Sequence, residues 1–225
     1  MSNLKRTFTR YFSEILIIFV GITISFWFEN WRAEREEQND LREVVKSLRV
    51  DLSEKKEELL SDIKFIRIHI DELDSCVKLL QSGQCSVALL IDIRRRFDTD
   101  HWFFASTTPT FEASANTGTW QLLPDSLKHQ IYNLYVGNFG YLEIIVRKQS
   151  EYAAGCKADL MGSTQLGGLK AADKTVDRKL CQSARVIGCA SLLTDQWEKI
   201  IRFQQDARKA LESTDANLEK FLHGI

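Results

Sequence analysis

The chain reads as an all-α protein: an N-terminal transmembrane helix continuing into an antiparallel bundle of three to four long helices, with one irregular insertion. Three observations predict it. The 225 residues include only 2 prolines, and long proline-free stretches with interleaved charged and aliphatic side chains favour helix. Apolar residues recur at 4-3 spacing from Leu41 to Leu80, the period of an amphipathic helix. No Lys or Arg occurs between Arg10 and Arg32, where residues 11–31 read YFSEILIIFVGITISFWFENW. Basic and acidic residues nearly balance, 30 against 31, so no global field points to a nucleic-acid polymer or to acidic substrates.

The first element is the anchor, residues 11–31, preceded by a basic tail at 1–10 and followed by an extramembrane domain at 32–225. Its uninterrupted apolar core, Ile15 to Phe28, is shorter than the roughly 20 residues a bilayer requires. Tyr11 and Phe12 at one end, with Phe26, Trp27, Phe28 and Trp31 at the other, extend it with the aromatic belts of the two water interfaces. Glu14 lies one turn inside the near interface. Its carboxylate can turn toward headgroups or toward Arg10, four residues earlier on the same face, or mark a helix contact. Gly21 and Ser25 form a small-xxx-small pair and Thr23 adds a hydroxyl, so homo-oligomeric packing of this helix in the lipid bilayer is expected.

A cleavable signal peptide is disfavoured because FWFENWRAER offers no small-x-small site. Lys5, Arg6 and Arg10 on one side and Arg32, Arg35 and Arg42 on the other do not decide orientation by count. A short basic tail before an uncleaved apolar core most often acts as a signal anchor, which sends the large C-terminal part across the membrane. Cysteine usage leans the same way. Cys76, Cys85, Cys156, Cys181 and Cys189 all lie outside the span, and an oxidising compartment would let four of the 5 pair. Five reduced thiols in a cytosolic domain is the competing reading. Without a CxxC or CxxH unit, no structural zinc site is expected.

The stalk follows. Leu41, Val45, Leu48, Leu52, Leu59, Ile63, Ile66, Ile70, Leu73, Val77 and Leu80 form an apolar seam with Lys55 at its one charged position. The 4-4 step from Lys55 through Leu59 to Ile63 is a stutter. A helix of this kind needs partners in the same chain or in a neighbouring copy. Since NWRAEREEQND contains no breaker, the anchor can run straight into it, and Gly83 ends it. A second helix is expected within residues 84–99, with Arg94, Arg95 and Arg96 as the one basic cluster. These could contact a small anionic ligand such as a nucleotide phosphate, or simply complement the helix dipole. Pro109, Asn116, Gly118 and Pro124 punctuate the aromatic-rich stretch beyond. A further helix then starts at Asp125 or Ser126, with Leu127, Ile131, Leu134, Asn138, Tyr141 and Ile145 on its apolar face, returning against the first.

Two blocks carry a family resemblance. Glu14-Ile15, Gly21-Ile22, Ile24 and Asn30-Trp31 match an anchor of the form E-I-x5-G-I-x-I followed by N-W. Thr110-Phe111, Asn116-Thr117-Gly118 and the helix from Leu127 to Tyr135 match a second block. The chain thereby resembles a functionally uncharacterised family of small single-pass bacterial membrane proteins. That resemblance implies a helical extramembrane domain, a bacterial inner-membrane location and no known catalysis. With the signal-anchor reading, it puts the C-terminal domain in the periplasm. Residues 153–191, with their glycines and three cysteines, depart from the family pattern and are expected to be an irregular insertion. A final helix is expected from Ala190 to His223.

No catalytic constellation stands out. GSTQLGG lacks the GK[ST] ending of a phosphate loop, and His69, His101, His129 and His223 show no metal spacing. Asp98, Asp100 and His101 are better explained as a helix-ending turn. No cofactor and no enzymatic activity are expected. The favoured reading is a non-enzymatic membrane-anchored sensor, scaffold or assembly module. The alternative is an oligomeric membrane effector of the bacterial defence type, whose cytosolic domain binds a small anionic signal and rearranges its anchors.

Overall fold

The computed structural model describes residues 2–84, 86–97, 104–116, 118–164 and 184–224; the side chains of residues 2–15, 87, 159–164 and 184–185 fall outside that description. Among the described residues every regular element is a helix. The first, α1 (Ser2–Gln81), runs 80 residues without a break, about 120 Å at the α-helical rise. No Pro interrupts it, and it stops where Gly83 takes φ of 80°. The Gly83 and Gln84 amides turn back to the carbonyls of Leu80 and Leu79, satisfying orphan acceptors that a left-handed residue brings within reach.

The seam of α1 is buried as its spacing predicts. Val45, Leu48, Leu59 and Leu73 are fully covered, and the cover comes mainly from α7 (Ala184–Gly224), which runs antiparallel to α1. Ion pairs fix the register. Arg49 Nε donates to Asp215 Oδ1 at 2.6 Å and Lys56 Nζ lies 3.1 Å from Glu212.

Short helices pack on the other flank of α1. These are α2 (Val87–Arg96), α3 (Pro109–Ala115) and α4 (Thr119–Leu122). α2 is capped by Ser86, whose hydroxyl accepts from Leu89 N at 3.1 Å. α3 starts with Thr108 accepting from Phe111 N and with Pro109 in the first turn, the position where a missing N–H costs nothing.

The return helix differs from the expected one in two respects. α5 (Asp125–Tyr132) passes through a π-helical segment, Asn133–Phe139, into α6 (Gly140–Thr164). Each π-turn holds one residue more than an α-turn, which rotates the following face by one position. The residues buried there are accordingly Phe139, Leu142 and Val146, whereas the simple period had selected Asn138, Tyr141 and Ile145. In addition, this helix packs mainly on α7 rather than on α1, so α7 lies centrally and the bundle has three long helices.

The irregular insertion is narrower than 153–191. α6 continues to Thr164 and α7 begins at Ala184, well before Ala190. Ala153 and Cys156 on one helix, Val186 and Ala190 on the other, are buried apolar positions and keep both ends helical. Residues 165–183, with Gly167, Gly168 and Cys181, lie outside the described residues.

Among the described residues no helix is long and apolar enough to cross a membrane. The described apolar run, Leu16 to Phe28, rises only about 20 Å against a hydrocarbon core of about 30 Å. The expected span begins at Tyr11, and the side chains of Tyr11, Phe12, Glu14 and Ile15 are outside the described part.

Candidate functional site

The described part of the apolar N-terminal segment is bare on every side. Leu16, Ile17, Ile18, Phe19 and Val20 are consecutive, so together they circle the helix, and all are exposed, Ile17 at 70% and Phe19 at 66%. Trp27 is exposed at 69%. A helix apolar all round is stable only inside a large core or in lipid, and among the described residues nothing packs over this one. A Cβ placed at Gly21 would meet nothing within 4 Å. Ser25 Oγ donates to Gly21 O at 3.0 Å and Thr23 Oγ1 to Phe19 O at 2.8 Å. Both hydroxyls are thus satisfied within the helix, as Ser and Thr are in apolar surroundings. At the far end Arg35 stacks 4.7 Å over the Trp31 ring, setting charge immediately beyond the apolar run.

Farther along α1 comes a junction that ties the stalk to the 104–139 region. Lys55, at the charged position of the seam, is buried to 8% exposure. Its ammonium donates to Glu58 Oε2 at 2.7 Å and to the Ala105 carbonyl at 2.8 Å, and sits 4.7 Å above the Phe104 ring. Around it an aromatic cluster closes. Phe111 stacks on Tyr135 at 4.2 Å, Tyr135 meets Phe139 edge-on at 5.5 Å, and Phe139 meets Phe104 at 5.7 Å. Glu143 accepts from the Ser106 amide at 3.0 Å. Burial pushes the Tyr135 phenol up to about 12, opposed by the Thr108 hydroxyl and reinforced by the Asp51 carboxylate. Phe111 and Tyr135 therefore build one wall of this junction.

Beside it a cleft of about 530 Å³ opens between α1 and the α3–α4 pair, with Asp40, Glu43 and Ser47 on one wall and Pro109, Thr110 and Thr119 on the other. It begins only about 14 Å along the helix from Trp31.

The arginine cluster does not act as a unit. Successive helical residues point about 100° apart, and Arg96 is committed to the fold: Nη1 pairs with Glu72 on α1, and Nη2 lies 3.5 Å from Asp92. Arg95 is exposed and Arg94 half-buried. The cysteines also separate. Cys156 and Cys189 form a disulfide that joins α6 to α7. Cys76 is free and buried; burial pushes its thiol up, and its Sγ lies 3.7 Å from Asp92 Oδ2. Cys85 and Cys181 lie outside the described residues, as do Asp98, Asp100, His101 and the side chain of Glu14. His69 is half-buried, its ring 4.0 Å from Phe65 and edge-on to Trp197. Among the described residues no group of His, Cys, Asp and Glu is arranged to hold a metal ion.

In the sequence Lys55 stands out only as a charged gap in the seam. One cation at an otherwise apolar position was the available signal that a polar group from elsewhere in the chain must reach it. Compared with models of protein families, with curated proteins and with solved structures, the chain matches none.

Proposed function

We propose that the chain is a non-enzymatic, single-pass membrane protein of the bacterial inner membrane, anchored in the lipid bilayer by residues 11–31, whose helical domain serves as a sensor, scaffold or assembly module in the periplasm. The observation that carries this reading is the uncovered apolar surface from Leu16 to Phe28, continuous within one helix with the stalk that organises the bundle. Water solvates such a surface poorly, and lipid covers all sides of it at once. The Cys156–Cys189 disulfide supports export, because disulfides persist in oxidising compartments. The likeness of the anchor and of the 110–135 block to a bacterial single-pass family supports the same assignment.

A second reading draws on the open Gly21–Ser25 face. Copies packed through that face and through their long helices would form an oligomeric effector, with a cytosolic domain that rearranges the anchors on binding a small anionic signal. One experiment separates the two. An export-dependent and a cytosol-dependent reporter are each fused after Ile225, and free thiols are trapped in intact cells. Activity of the export reporter with Cys156 and Cys189 protected is the expected result. Activity of the cytosolic reporter with both thiols free would discard the periplasmic reading in favour of the effector.

A further inference from the structure

The α1–α7 seam is neutralised along part of its length and keeps a surplus of positive charge along another. Toward the anchor its cations are matched, Arg49 by Asp215 and Glu219, and Lys56 by Glu212. Farther out the two helices leave a groove of about 560 Å³ lined by Lys64 and Arg67 of α1 and Arg208 and Lys209 of α7. Asp71 is the one carboxylate on its lining. Lys209 spends part of its charge on Asp206 at 3.0 Å. Lys64 and Arg67, three residues apart on one helical face, have no ion-pair partner among the described residues, and like charges so spaced repel.

A second observation shows that one of these groups, although paired at longer range with Glu212, has a donor with no hydrogen bond. Arg208 Nε is screened from solvent and makes no hydrogen bond. Glu212 Oε1, 3.8 Å away, is beyond hydrogen-bond range and is already held by Lys56. A buried donor left unused is unfavourable unless something occupies it. The floor of the groove is apolar, formed by Leu60 and Ile63 with Ile68 at its edge. Lys64 lies about 50 Å along α1 from Trp31, so headgroups of the membrane that holds the anchor are out of reach, and the occupant must be a diffusible molecule. The groove has the volume of a small-molecule site.

We propose that this groove binds a small organic anion that carries two or more phosphate-type charges on an apolar or aromatic body. The charges meet Lys64, Arg67 and Arg208, with Arg208 Nε donating to an anionic oxygen, and the body covers Leu60 and Ile63. This site, and not Arg94 to Arg96, is the anion contact of the domain, because Arg96 is already engaged by Glu72 and Asp92. The inference does not depend on which side of the membrane the domain occupies.

The test is calorimetric titration of the full chain in a neutral detergent with two probes: adenosine diphosphate, which has an aromatic body, and inorganic pyrophosphate, which has none. Adenosine diphosphate should bind saturably and more tightly than pyrophosphate, and raise the Tm of the chain by linkage. Lys64→Gln combined with Arg67→Gln should weaken it by about tenfold or more, whereas Arg94→Gln with Arg95→Gln should leave it unchanged. Without ligand, the Lys64/Arg67 double variant should melt at or above the parent temperature, since it removes repulsion and breaks no ion pair among the described residues. Absence of saturable binding, equal affinity for the two probes, retention of binding in the Lys64/Arg67 variant, or loss of binding in the Arg94/Arg95 variant would each overturn the assignment. Because the titration is indifferent to orientation, a failure here leaves the topology result standing.

Discussion

Replacing Lys55 by Met separates two views of the junction, because Met keeps the length of the stem and removes the charge. The ammonium is nearly enclosed, at 10% side-chain exposure, with Glu58 at 36%. Its hydrogen bond to the Ala105 carbonyl is charge-assisted, worth about 1.5–3 kcal/mol. The pair with the part-exposed Glu58 adds less than about 1 kcal/mol after screening, and the Phe104 ring roughly 0.5–1 kcal/mol. Against these stands the desolvation of the lysine, several kcal/mol, which Met avoids while packing the same seam. Those terms roughly cancel, and what remains is the Ala105 carbonyl left without its donor, a loss of about 1–2 kcal/mol for Lys55→Met. Lys55→Ala, which also deletes the stem, should lose about 2–4 kcal/mol. For a domain of this size, 1–2 kcal/mol corresponds to roughly 2–8 °C in Tm. The assay is urea unfolding followed by circular dichroism, together with amide exchange over residues 104–111, where opening should accelerate as the anchor of the Ala105 carbonyl is lost. If the Met variant is as stable as the parent and exchange at 104–111 is unchanged, Lys55 contributes nothing to holding that segment. The seam position would then simply tolerate a charge.

Tyr135 carries a pH prediction. Its folded value near 12 lies above the ordinary 10, so folding favours the neutral phenol. The resulting stability is complete below about pH 10 and is lost as pH rises toward 12, about 2–3 kcal/mol in all. Urea midpoints between pH 9 and 12 should fall less steeply in Tyr135→Phe, and parallel slopes would rule the effect out. Arg96→Ala should cost about 1–2 kcal/mol by unpairing Glu72, while Arg95→Ala stays within about 0.5 kcal/mol; comparable losses in thermal melts would contradict the division of labour on α2. Gly21→Leu should leave the bundle's Tm unchanged, because a Cβ there meets open space; under the proposed oligomeric reading it should reduce cross-linking between the N-terminal segments of neighbouring copies. Undiminished cross-linking would exclude that face as the contact.

Legibility followed the range of the forces involved. The seam from Leu41 to Leu80 could be read residue by residue because helical period is local, and Gly83 as its end because a positive φ selects glycine. The shifted face of α6 could not. NLYVGNF carries no mark of a π-turn, and the extra residue is held because Tyr135 and Phe139 both enter the aromatic cluster with Phe104 and Phe111. The helical flanks of the 153–191 insertion were similarly obscured, since glycine and cysteine content suggested a loop, while the burial of Ala153 and Cys156 against α7 depends on a distant partner.

By itself the sequence determined that the chain is helical and where its longest helix stops, both consequences of neighbours a few residues apart. Only the tertiary structure decided that Lys55 holds the Ala105 carbonyl, that Arg96 serves Glu72, that Cys156 pairs with Cys189, and that Lys64, Arg67 and Arg208 share one groove. The physical reason is separation. Partners 24 to 166 residues apart meet only after the helices have packed, and the side chains' value as contacts or as unmet charges exists only once that packing has excluded water.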